Sequence, residues 1–365
     1  MKILVCHEIE YDLSNPYVRL LKKAYMKAGH EVICSINEFY DCNWKPDFIH
    51  IQWPEALYRW GYKLPKEKES IDKIRDRLKY FDNAGIPIVY TVHNLLPHDE
   101  ASDFDRSIFR VICDYASIFV HHGSKSIAEI KKMFPHCAKS NHIICPHGPY
   151  DFLAVDPIES RKKYNLPQNK IVLLNLGLQK KYKGLRFVKK VAKQLSQKEI
   201  YLFIIGGGRS TSILGKIRRL IIDTVNQILP CYINMNSSVK SVSRKFHEDE
   251  VPYILSASDI VFLGHQKGTN SGVICLAASY KKAIVFPDIG NFKEQLLGWK
   301  WYETYEAGSI ESASSAIMKM IERLNDKESD YDNKGWAERN SWEKHVLAIT
   351  KALPGPMCED SCRLD

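Results

Sequence analysis

Short apolar runs alternate with amphipathic stretches along most of the chain. The apolar runs are KILVC, EVICSI, DFIHIQ, PIVYTV, SIFVHH and HIICP in the first half, and KIVLLNLG, IYLFIIGGG, DIVFLGH and AIVFPD in the second. Helical periodicity fills the intervals, as at 17–28, 71–83, 107–115, 185–197, 251–257, 271–281 and 309–324. This alternation predicts an α/β fold with parallel sheets.

The pattern restarts near Lys170, after a stretch at 146–169 that contains three prolines and no sustained period. We therefore predict two doubly wound, Rossmann-like domains, at 1–155 and 165–333, joined by that linker. Ligands of such sheets bind at the carboxyl ends of the strands, so a central cleft between the domains is the expected site. A terminal helix at 334–353 and a flexible tail at 354–365 complete the prediction.

Composition narrows the class of protein. The 365 residues include ten scattered cysteines, mostly within apolar runs, which is typical of a reduced cytosolic core and not of a disulfide framework. No apolar run has the length of a signal peptide or a membrane span. The sequence therefore predicts a cytoplasmic protein.

The net charge of +9 favours anionic partners, namely nucleic acid, a phosphorylated substrate or an acidic membrane face. The sequence contains no RNP-like aromatic strand, no paired Cys/His finger and no long basic helix. We predict no nucleic-acid partner.

Several cofactor and metal motifs can be set aside. The first strand ends in HEIE, without the glycines of a dinucleotide site, and neither a G-x-G-x-x-G nor a P-loop spacing occurs elsewhere. Asp103-Phe104-Asp105 resembles a metal-holding acid pair, but a helix follows it directly, so capping explains it better. We predict no bound metal and no cofactor.

Two stretches of the second half are suited to an anion. In GTNSG the residues Thr269, Asn270 and Ser271 lie between Gly268 and Gly272, just before an apolar helix. They are good N-cap residues, and the same turn can bind phosphate through backbone N–H groups; the residues alone leave both interpretations open.

The second stretch is GLQKKYKG, in which a strand ends at Gly177 and a loop carries Lys180 and Lys183. Lysines at a strand-to-helix turn can bind a diphosphate, although a solvated basic turn explains them as well.

Taken together, the two stretches resemble GT-B glycosyltransferases, particularly the large retaining group called family four. GLQKKYKG is similar to their G-x-x-(R/K)-x-x-K-G loop, and GTNSGVICLAASYKKAIVFPDIGNFKE is similar to their nucleotide-sugar segment. YTVHN matches the T-x-H segment of the first domain, ICPHG the segment before the linker, and NSWEKHV the terminal helix. The resemblance implies the GT-B fold, with the terminal helix crossing back to the first domain.

The sequence departs from the family at two acids. Lys281-Lys282-Ala283 stands where the family has Gly-Lys-Pro, so the two glutamates of the usual E-x7-E fall on Gly268 and Leu276. The resemblance therefore implies a donor-diphosphate site at Gly177, Lys180, Lys183 and the turn from Thr269 to Gly272, without those acids. Glu294 is a further candidate for a ribose or sugar hydroxyl, with a surface-helix role as the alternative.

The first half supplies the remaining candidate residues. The T-x-H resemblance implies that His93 contacts the transferred sugar. Aromatic, amide and acid groups after strand ends are suited to an acceptor sugar, while simple loop packing is the alternative for Trp53. These acceptor candidates are His7, Asn15, Tyr17, Trp53 and Glu55.

The function implied is transfer of a sugar from a nucleoside-diphosphate donor to a glycan or lipid-linked glycan, in bacterial surface polysaccharide synthesis. Lysines and a helix N-terminus would stabilise the leaving diphosphate in place of a metal. Two alternatives stay open: a phosphorylase or epimerase of the same architecture, and an inactive nucleotide- or glycan-binding protein that has lost the acids.

The segment YRWGYKLPKEKESIDK interleaves Tyr58, Trp60 and Tyr62 with basic residues. Aromatic groups beside basic ones suit an anionic membrane surface, which favours peripheral binding to the inner face of the cell membrane. An ordinary solvated loop with Trp60 tucked into the fold is the alternative.

Overall fold

The computed structural model describes residues 1–9, 16–60, 62–97, 101–151, 153, 155–177, 180–196, 198–207, 238–326 and 332–354. Contacts divide the chain into two units, which are described separately. Unit 1 comprises Met1–Gly148 and Arg339–Asp365, and unit 2 comprises Pro149–Glu338.

Unit 1 contains one six-stranded parallel sheet in the order β2-β1-β3-β4-β5-β6. The strands are β1 Lys2–Val5, β2 Glu31–Cys34, β3 Phe48–Ile51, β4 Ile88–Thr91, β5 Ile118–His121 and β6 Asn141–Ile144. The helices along the chain are α1 Tyr17–Lys27, α2 Ile36–Asp41, α3 Lys68–Asn83, α4 Asp103–Tyr115 and α5 Ser124–Met133, with a π-helix at Ala56–Trp60 and a 3-10 helix at Pro135–Lys139.

Unit 2 contains a second six-stranded parallel sheet in the order β12-β11-β10-β7-β8-β9. Its strands are β7 Ile171–Leu176, β8 Ile200–Ile205, β9 Val239–Val242, β10 Ile260–Phe262, β11 Ala283–Pro287 and β12 Tyr302–Tyr305. Its helices are α6 Pro157–Lys163, α7 Leu185–Gln194, α8 Val251–Ser256, α9 Gly272–Ser279, α10 Ile310–Asn325 and α11 Lys334–Arg339, with 3-10 helices at Lys181–Lys183, Glu248–Glu250 and Glu294–Leu296.

The inner strands follow directly from the apolar runs. Every residue of β3, β4 and β8 is buried, as a parallel strand covered by helices on both faces requires. The predicted fold class of two Rossmann-like domains is confirmed, whereas the cleft between them stays a prediction.

Two edge strands were not predicted from the sequence. β9 (VKSV) and β12 (YETY) lie at opposite edges of the unit 2 sheet, and most of their residues are only partly buried. An edge strand needs fewer apolar residues, because only part of its surface is covered.

The terminal helix was predicted as one element and is two. It breaks at Asn340, where the side chain of Ser341 accepts a hydrogen bond from the Lys344 N–H and starts α12, Trp342–Ala352. α11 belongs to unit 2 except for its last residue, Arg339, and Trp336 of this helix is fully buried. α12 packs in unit 1, which confirms the predicted return to the first domain.

Lys281, in the turn between α9 and β11, has a φ of 56°, in the left-handed region that favours glycine. The family that the chain resembles has glycine at this position. The backbone conformation therefore agrees with the placement of Lys281-Lys282-Ala283 on the Gly-Lys-Pro segment.

We expect Lys281→Gly to raise the free energy of unfolding by about 0.5–1 kcal/mol, because the left-handed strain of a residue with a Cβ is larger than the entropy cost of glycine. Urea denaturation of the full chain measures this change. Asn165→Gly is the matched control: Asn165 has a φ of 49°, and asparagine tolerates that region, so its gain should be smaller. A less stable Lys281→Gly protein would contradict the prediction.

Candidate functional site

Two loops of unit 2 follow the adjacent strands β7 and β10. The chain continues from β7 to β8 on one side of the sheet and from β10 to β11 on the other. β7 pairs with β8 on one side and with β10 on the other. The loop after β7 begins at Gly177 and the loop after β10 begins at Leu263. Such a switch point in the strand order leaves a crevice at the carboxyl ends of the strands, where ligands of parallel sheets bind. Both of the anion-binding stretches predicted from the sequence lie there.

Backbone contacts between glycines hold these loops together. Gly184 has a φ of 62°, and a Cβ there would lie 2.0 Å from the carbonyl oxygen of Gly264. Gly290 has a φ of 50°, and its Cβ would lie 2.3 Å from the carbonyl oxygen of Gly268. The loops after β7, β10 and β11 therefore touch main chain to main chain, with no room for a side chain at either point.

The loops after β7, β10 and β11 form what we call the unit 2 rim. Lys180 and Lys183 lie together in its first loop. Lys183 is half-buried in a 3-10 helix, and a Cβ on Gly177 would be 3.0 Å from its Nζ. Burial, followed by the positive charge of Lys180, lowers the pKa of Lys183 to about 8. The positive charge of Lys180 thus disfavours the charged form of Lys183, and an anion bound beside Lys183 would offset that repulsion.

The start of α9 is the second half of the candidate anion site. Ser271 is the N-cap residue, but its side chain makes no capping bond. Instead, the side chain of the buried Gln295 accepts a hydrogen bond from the Ser271 N–H at 3.0 Å. The N–H groups of Gly272 and Val273 have no acceptor within the described part of the chain. They remain available to an anion at the positive end of the helix dipole.

Thr269 and Asn270 tie this turn to the loop after β11. Asn291 donates its backbone N–H to the Thr269 carbonyl at 2.8 Å and its side-chain N–H to Asn270 Oδ1 at 2.9 Å. Gln295, which was not predicted from the sequence, holds the backbone of the N-cap residue Ser271 and leaves the first-turn N–H groups of α9 uncapped by the Ser271 side chain. Glu294 lies one residue before Gln295 in the 3-10 helix and is half-buried.

No carboxylate occupies the positions of the missing acids. Gly268 has a φ of 155°, and Leu276 packs partly buried against the core of unit 2. His265, which was not predicted as a site residue, is buried in the same rim, with its ring centroid 5.8 Å from that of Tyr182 and 5.5 Å from that of Phe292. The available signal was its place at the end of the apolar run DIVFLGH.

In unit 1 the predicted residues also gather at the carboxyl ends of the strands. The strand order reverses between β1 and β3, and His7 and Trp53 follow these two strands. Trp53 stacks on His93 with ring centroids 4.0 Å apart and planes at 12°. Tyr17 lies edge-on to His93 at 4.7 Å, and His7 is 5.3 Å from Trp53. Four of the predicted residues therefore form one aromatic cluster.

Three further histidines belong to this cluster and were not predicted. His122 and His147 follow β5 and β6, and His345 comes from α12; each donates its Nδ1–H to a backbone carbonyl, of Cys145, Gly148 and Pro146 respectively. Burial lowers the pKa of His122 to about 4 and those of His147 and His345 to about 3. All three are neutral imidazoles at pH 7. The segments HHG and PHG, directly after apolar runs, carried the signal.

Two predicted acceptor residues remain, Glu55 and Asn15. Glu55 is buried, its Oε2 has no partner among the described residues, and burial raises its pKa to about 7. Its electrostatic neighbours include Arg59 and Asp105. Asn15 lies outside the described residues.

The aromatic and basic segment differs from the expectation at two positions. Tyr58 is buried and donates its hydroxyl to Asp105 Oδ1 at 2.6 Å, so it cannot meet a membrane. Tyr62 packs at 4.4 Å on Tyr40. Trp60 is 43% exposed and is not tucked into the fold. None of the helices among the described residues combines the length and the apolar character needed to cross a bilayer.

Capping explains the acid pair at the start of α4. The Ser102 side chain accepts from the Asp105 N–H, and Asp105 accepts from the Ser102 N–H, which forms a capping box. Among the described residues, no group of three or more His, Cys, Asp or Glu side chains is arranged to hold a metal ion. The seven described cysteines are all free thiols.

A surface groove of about 530 Å³ lies elsewhere on unit 1. It contains both acids and bases, and none of the predicted site residues lines it; its residues are Tyr40, Glu69, Asp72, Lys73, Asp76, Arg77 and Tyr80. Three carboxylates make this groove unsuited to a diphosphate.

Known proteins share this architecture. No family model matches the sequence. The chain is 23% identical over 276 residues to a GDP-mannose:glycolipid 4-beta-D-mannosyltransferase of Xanthomonas campestris pv. campestris, a match that covers 75% of this chain and 70% of that protein.

Among solved structures, sucrose-phosphate synthase from Thermosynechococcus elongatus is 17% identical with a TM-score of 0.62, covering 96% of this chain and 98% of that one. Anabaena HepE in complex with UDP and glucose is 14% identical with a TM-score of 0.63, covering 97% of this chain and 100% of that one. The predicted resemblance to GT-B glycosyltransferases is confirmed, and the fold is GT-B.

The buried Glu55 carboxyl generates a pH-dependent stability prediction. Its folded-state pKa of about 7 lies above the ordinary value of 4.5, so the unfolded chain ionises first as pH rises. The contribution of the neutral Glu55 carboxyl to the free energy of unfolding is therefore fully present below pH 4.5. It is lost as the pH rises through 7, by about 3 kcal/mol in total at 1.36 kcal/mol per pKa unit.

We expect Glu55→Gln to remove this loss, so that the stability difference between variant and parent grows by about 2–3 kcal/mol between pH 4.5 and pH 8. Urea denaturation at the two pH values measures it. Glu67→Gln, at an exposed carboxylate, is the control and should show little change. An equal effect of Glu55→Gln at both pH values would rule out a buried, titrating Glu55.

Proposed function

We propose that this GT-B chain is a glycosyltransferase that moves a sugar from a nucleoside-diphosphate donor to a glycan or lipid-linked glycan acceptor. The observation that carries the proposal is the unit 2 rim, in which two neighbouring lysines and the open N-terminus of α9 flank one switch point of a parallel sheet. A diphosphate is the ligand chemistry that this rim complements.

The relatives support this assignment of substrates. The Xanthomonas relative is named for GDP-mannose and a glycolipid acceptor, and Anabaena HepE was solved with UDP and glucose. We infer a nucleotide-sugar donor and a membrane-bound or polymeric sugar acceptor for this chain, with a role in bacterial surface polysaccharide synthesis.

The residues have separate roles in this proposal. Lys180, Lys183 and the N–H groups of Gly272 and Val273 bind the diphosphate and stabilise its growing charge as the sugar leaves. Gly177 has no side chain that would crowd the Lys183 ammonium group. Glu294 forms a hydrogen bond with a ribose or sugar hydroxyl. His93 contacts the transferred sugar, while His7, Tyr17 and Trp53 form the apolar and hydrogen-bonding surface for the acceptor. We place Glu55 and Asn15 in the same acceptor region. No step in this proposal requires a metal ion.

An inactive nucleotide- or glycan-binding protein is the second candidate, favoured by the loss of both acids at Gly268 and Leu276. Thermal-shift screening of GDP, UDP and their sugar derivatives, followed by donor-hydrolysis and transfer assays, separates the two. Stabilisation with turnover that survives a chelator supports the enzyme. Stabilisation without turnover supports the binder, and activity lost to a chelator and restored by manganese contradicts metal independence.

Lys183→Ala is expected to weaken binding of the nucleoside diphosphate by about 1.5–3 kcal/mol, the range for a hydrogen bond to a charged group. Isothermal titration calorimetry measures this loss. Lys181→Ala is the matched control, because Lys181 lies in the same 3-10 helix but is exposed. Equal affinities of the parent and Lys183→Ala would remove the loop from the donor site.

We further propose weak peripheral binding to the inner face of the cell membrane through Trp60, Arg59 and Lys63, all of which are exposed. The double variant Arg59→Gln/Lys63→Gln should lower partitioning onto anionic vesicles about ten- to thirtyfold, since each basic group adds about 1 kcal/mol. Flotation at low salt measures this, with Tyr80→Ala as the control at an exposed aromatic residue. Equal flotation of the parent with anionic and neutral vesicles would refute the proposal.

A further inference from the structure

The side chain of Gln52 is buried at the carboxyl end of β3, one residue beyond the strand. None of its surface is exposed, and its Oε1 lies 3.0 Å from Nε2 of His93. Its own Nε2 has no hydrogen-bond partner among the described residues. A buried amide with one unpaired end costs folding free energy, so stability alone does not account for a glutamine here.

The contact with Gln52 determines where His93 carries its proton. Burial, and then the neighbouring imidazoles, hold the pKa of His93 well below its usual value, so the ring is neutral and has one N–H. An amide oxygen only accepts hydrogen bonds, so Nε2 of His93 is the donor. Nδ1 is then the nitrogen with the lone pair.

Neighbouring rings hold the imidazole in place. Trp53 stacks on one face, and Tyr17 of α1 lies edge-on to the ring at 87°. The other titratable groups that act on His93 are imidazoles: His50 of β3, His122 after β5, His147 after β6 and His345 of α12. With the ring plane fixed by packing, the remaining variable is the tautomer.

We propose that Gln52 is a positioning residue that holds His93 as the Nε2–H tautomer, so that Nδ1 accepts a hydrogen bond from a substrate hydroxyl. The inference rests on the proposed function, in which His93 contacts the sugar. A sugar hydroxyl can donate to Nδ1, whereas phosphate and carboxylate groups are acceptors and cannot. A neutral amide partner also leaves the imidazole uncharged, whereas a carboxylate partner would stabilise the imidazolium.

Nitrogen NMR of the full chain labelled at histidine tests the tautomer without any activity assay, and His93→Gln identifies the signal. We expect the Nε2–H tautomer in the parent, the same tautomer in Gln52→Glu at a pH high enough to keep the ring neutral, and a mixture of tautomers in Gln52→Leu, which has a similar volume and no acceptor. An Nδ1–H tautomer in the parent, or an unchanged tautomer in Gln52→Leu, would overturn the proposal.

The pH profile of kcat/KM tests the consequence for substrate. Gln52→Glu keeps an acceptor but favours imidazolium, so the acid limb of the profile should move up by at least one pH unit. Gln52→Leu should lower kcat/KM about tenfold, the loss of one hydrogen bond, without moving that limb. Gln168→Glu adds the same charge at an exposed position and should leave the profile unchanged.

A purely structural Gln52 would lower stability in Gln52→Leu but leave its His93 tautomer and its kcat/KM unchanged, and this result would overturn the positioning role. If the parent transfers no sugar with any donor, the proposed function fails, while the NMR measurement still decides the tautomer.

Discussion

All strands in each sheet run in the same direction, and this constraint determines where the chemistry can lie. In a parallel sheet every carboxyl end reaches the same edge, so the residue that follows each buried strand meets the residues that follow its neighbours. In unit 1 this edge collects His7, Trp53, His93, His122 and His147 from different strands. In unit 2 it collects the lysine loop, His265 and the start of α9. The strand order alone brings each group to one edge of its sheet, and contacts between residues distant in sequence then fix its detailed arrangement.

The two edges differ sharply in charge. The unit 2 edge has Lys180, Lys183 and a helix dipole, which together complement a diphosphate. The unit 1 edge has imidazoles that burial keeps neutral, and His122, His147 and His345 each direct their N–H to a main-chain carbonyl. A charged ligand is therefore matched to one edge and an uncharged, hydroxyl-rich ligand to the other. This division agrees with the proposed transfer of a sugar from a nucleoside diphosphate.

The sequence predicted those features that depend on local pattern. Apolar runs identify the inner strands because such strands are buried on both faces. β9 and β12 were not predicted, because edge strands need less apolar surface. Trp53 and His93 were found because each directly follows a recognisable strand. Gln295 and Gln52 were not, because their roles depend on partners 24 and 41 residues away in the chain. Such contacts exist only after folding and leave no periodic signal.

The missing acids can be understood from the way Gln295 ties down the start of α9. Its side chain takes up the Ser271 N–H, its backbone carbonyl accepts from the Trp336 indole at 2.9 Å, and the residue is almost fully buried. The turn is therefore held without a residue at 268 or 276, and the N–H groups of Gly272 and Val273 have no acceptor among the described residues. Under the proposed function, a carboxylate beside these N–H groups would compete with the diphosphate for them, and its absence would leave the positive end of the helix to the donor. Under the proposed function, the cost is the loss of two carboxylate acceptors for the donor's hydroxyl groups. Glu294, in the same rim as His265 and Asn270, is the remaining carboxylate assigned to that role.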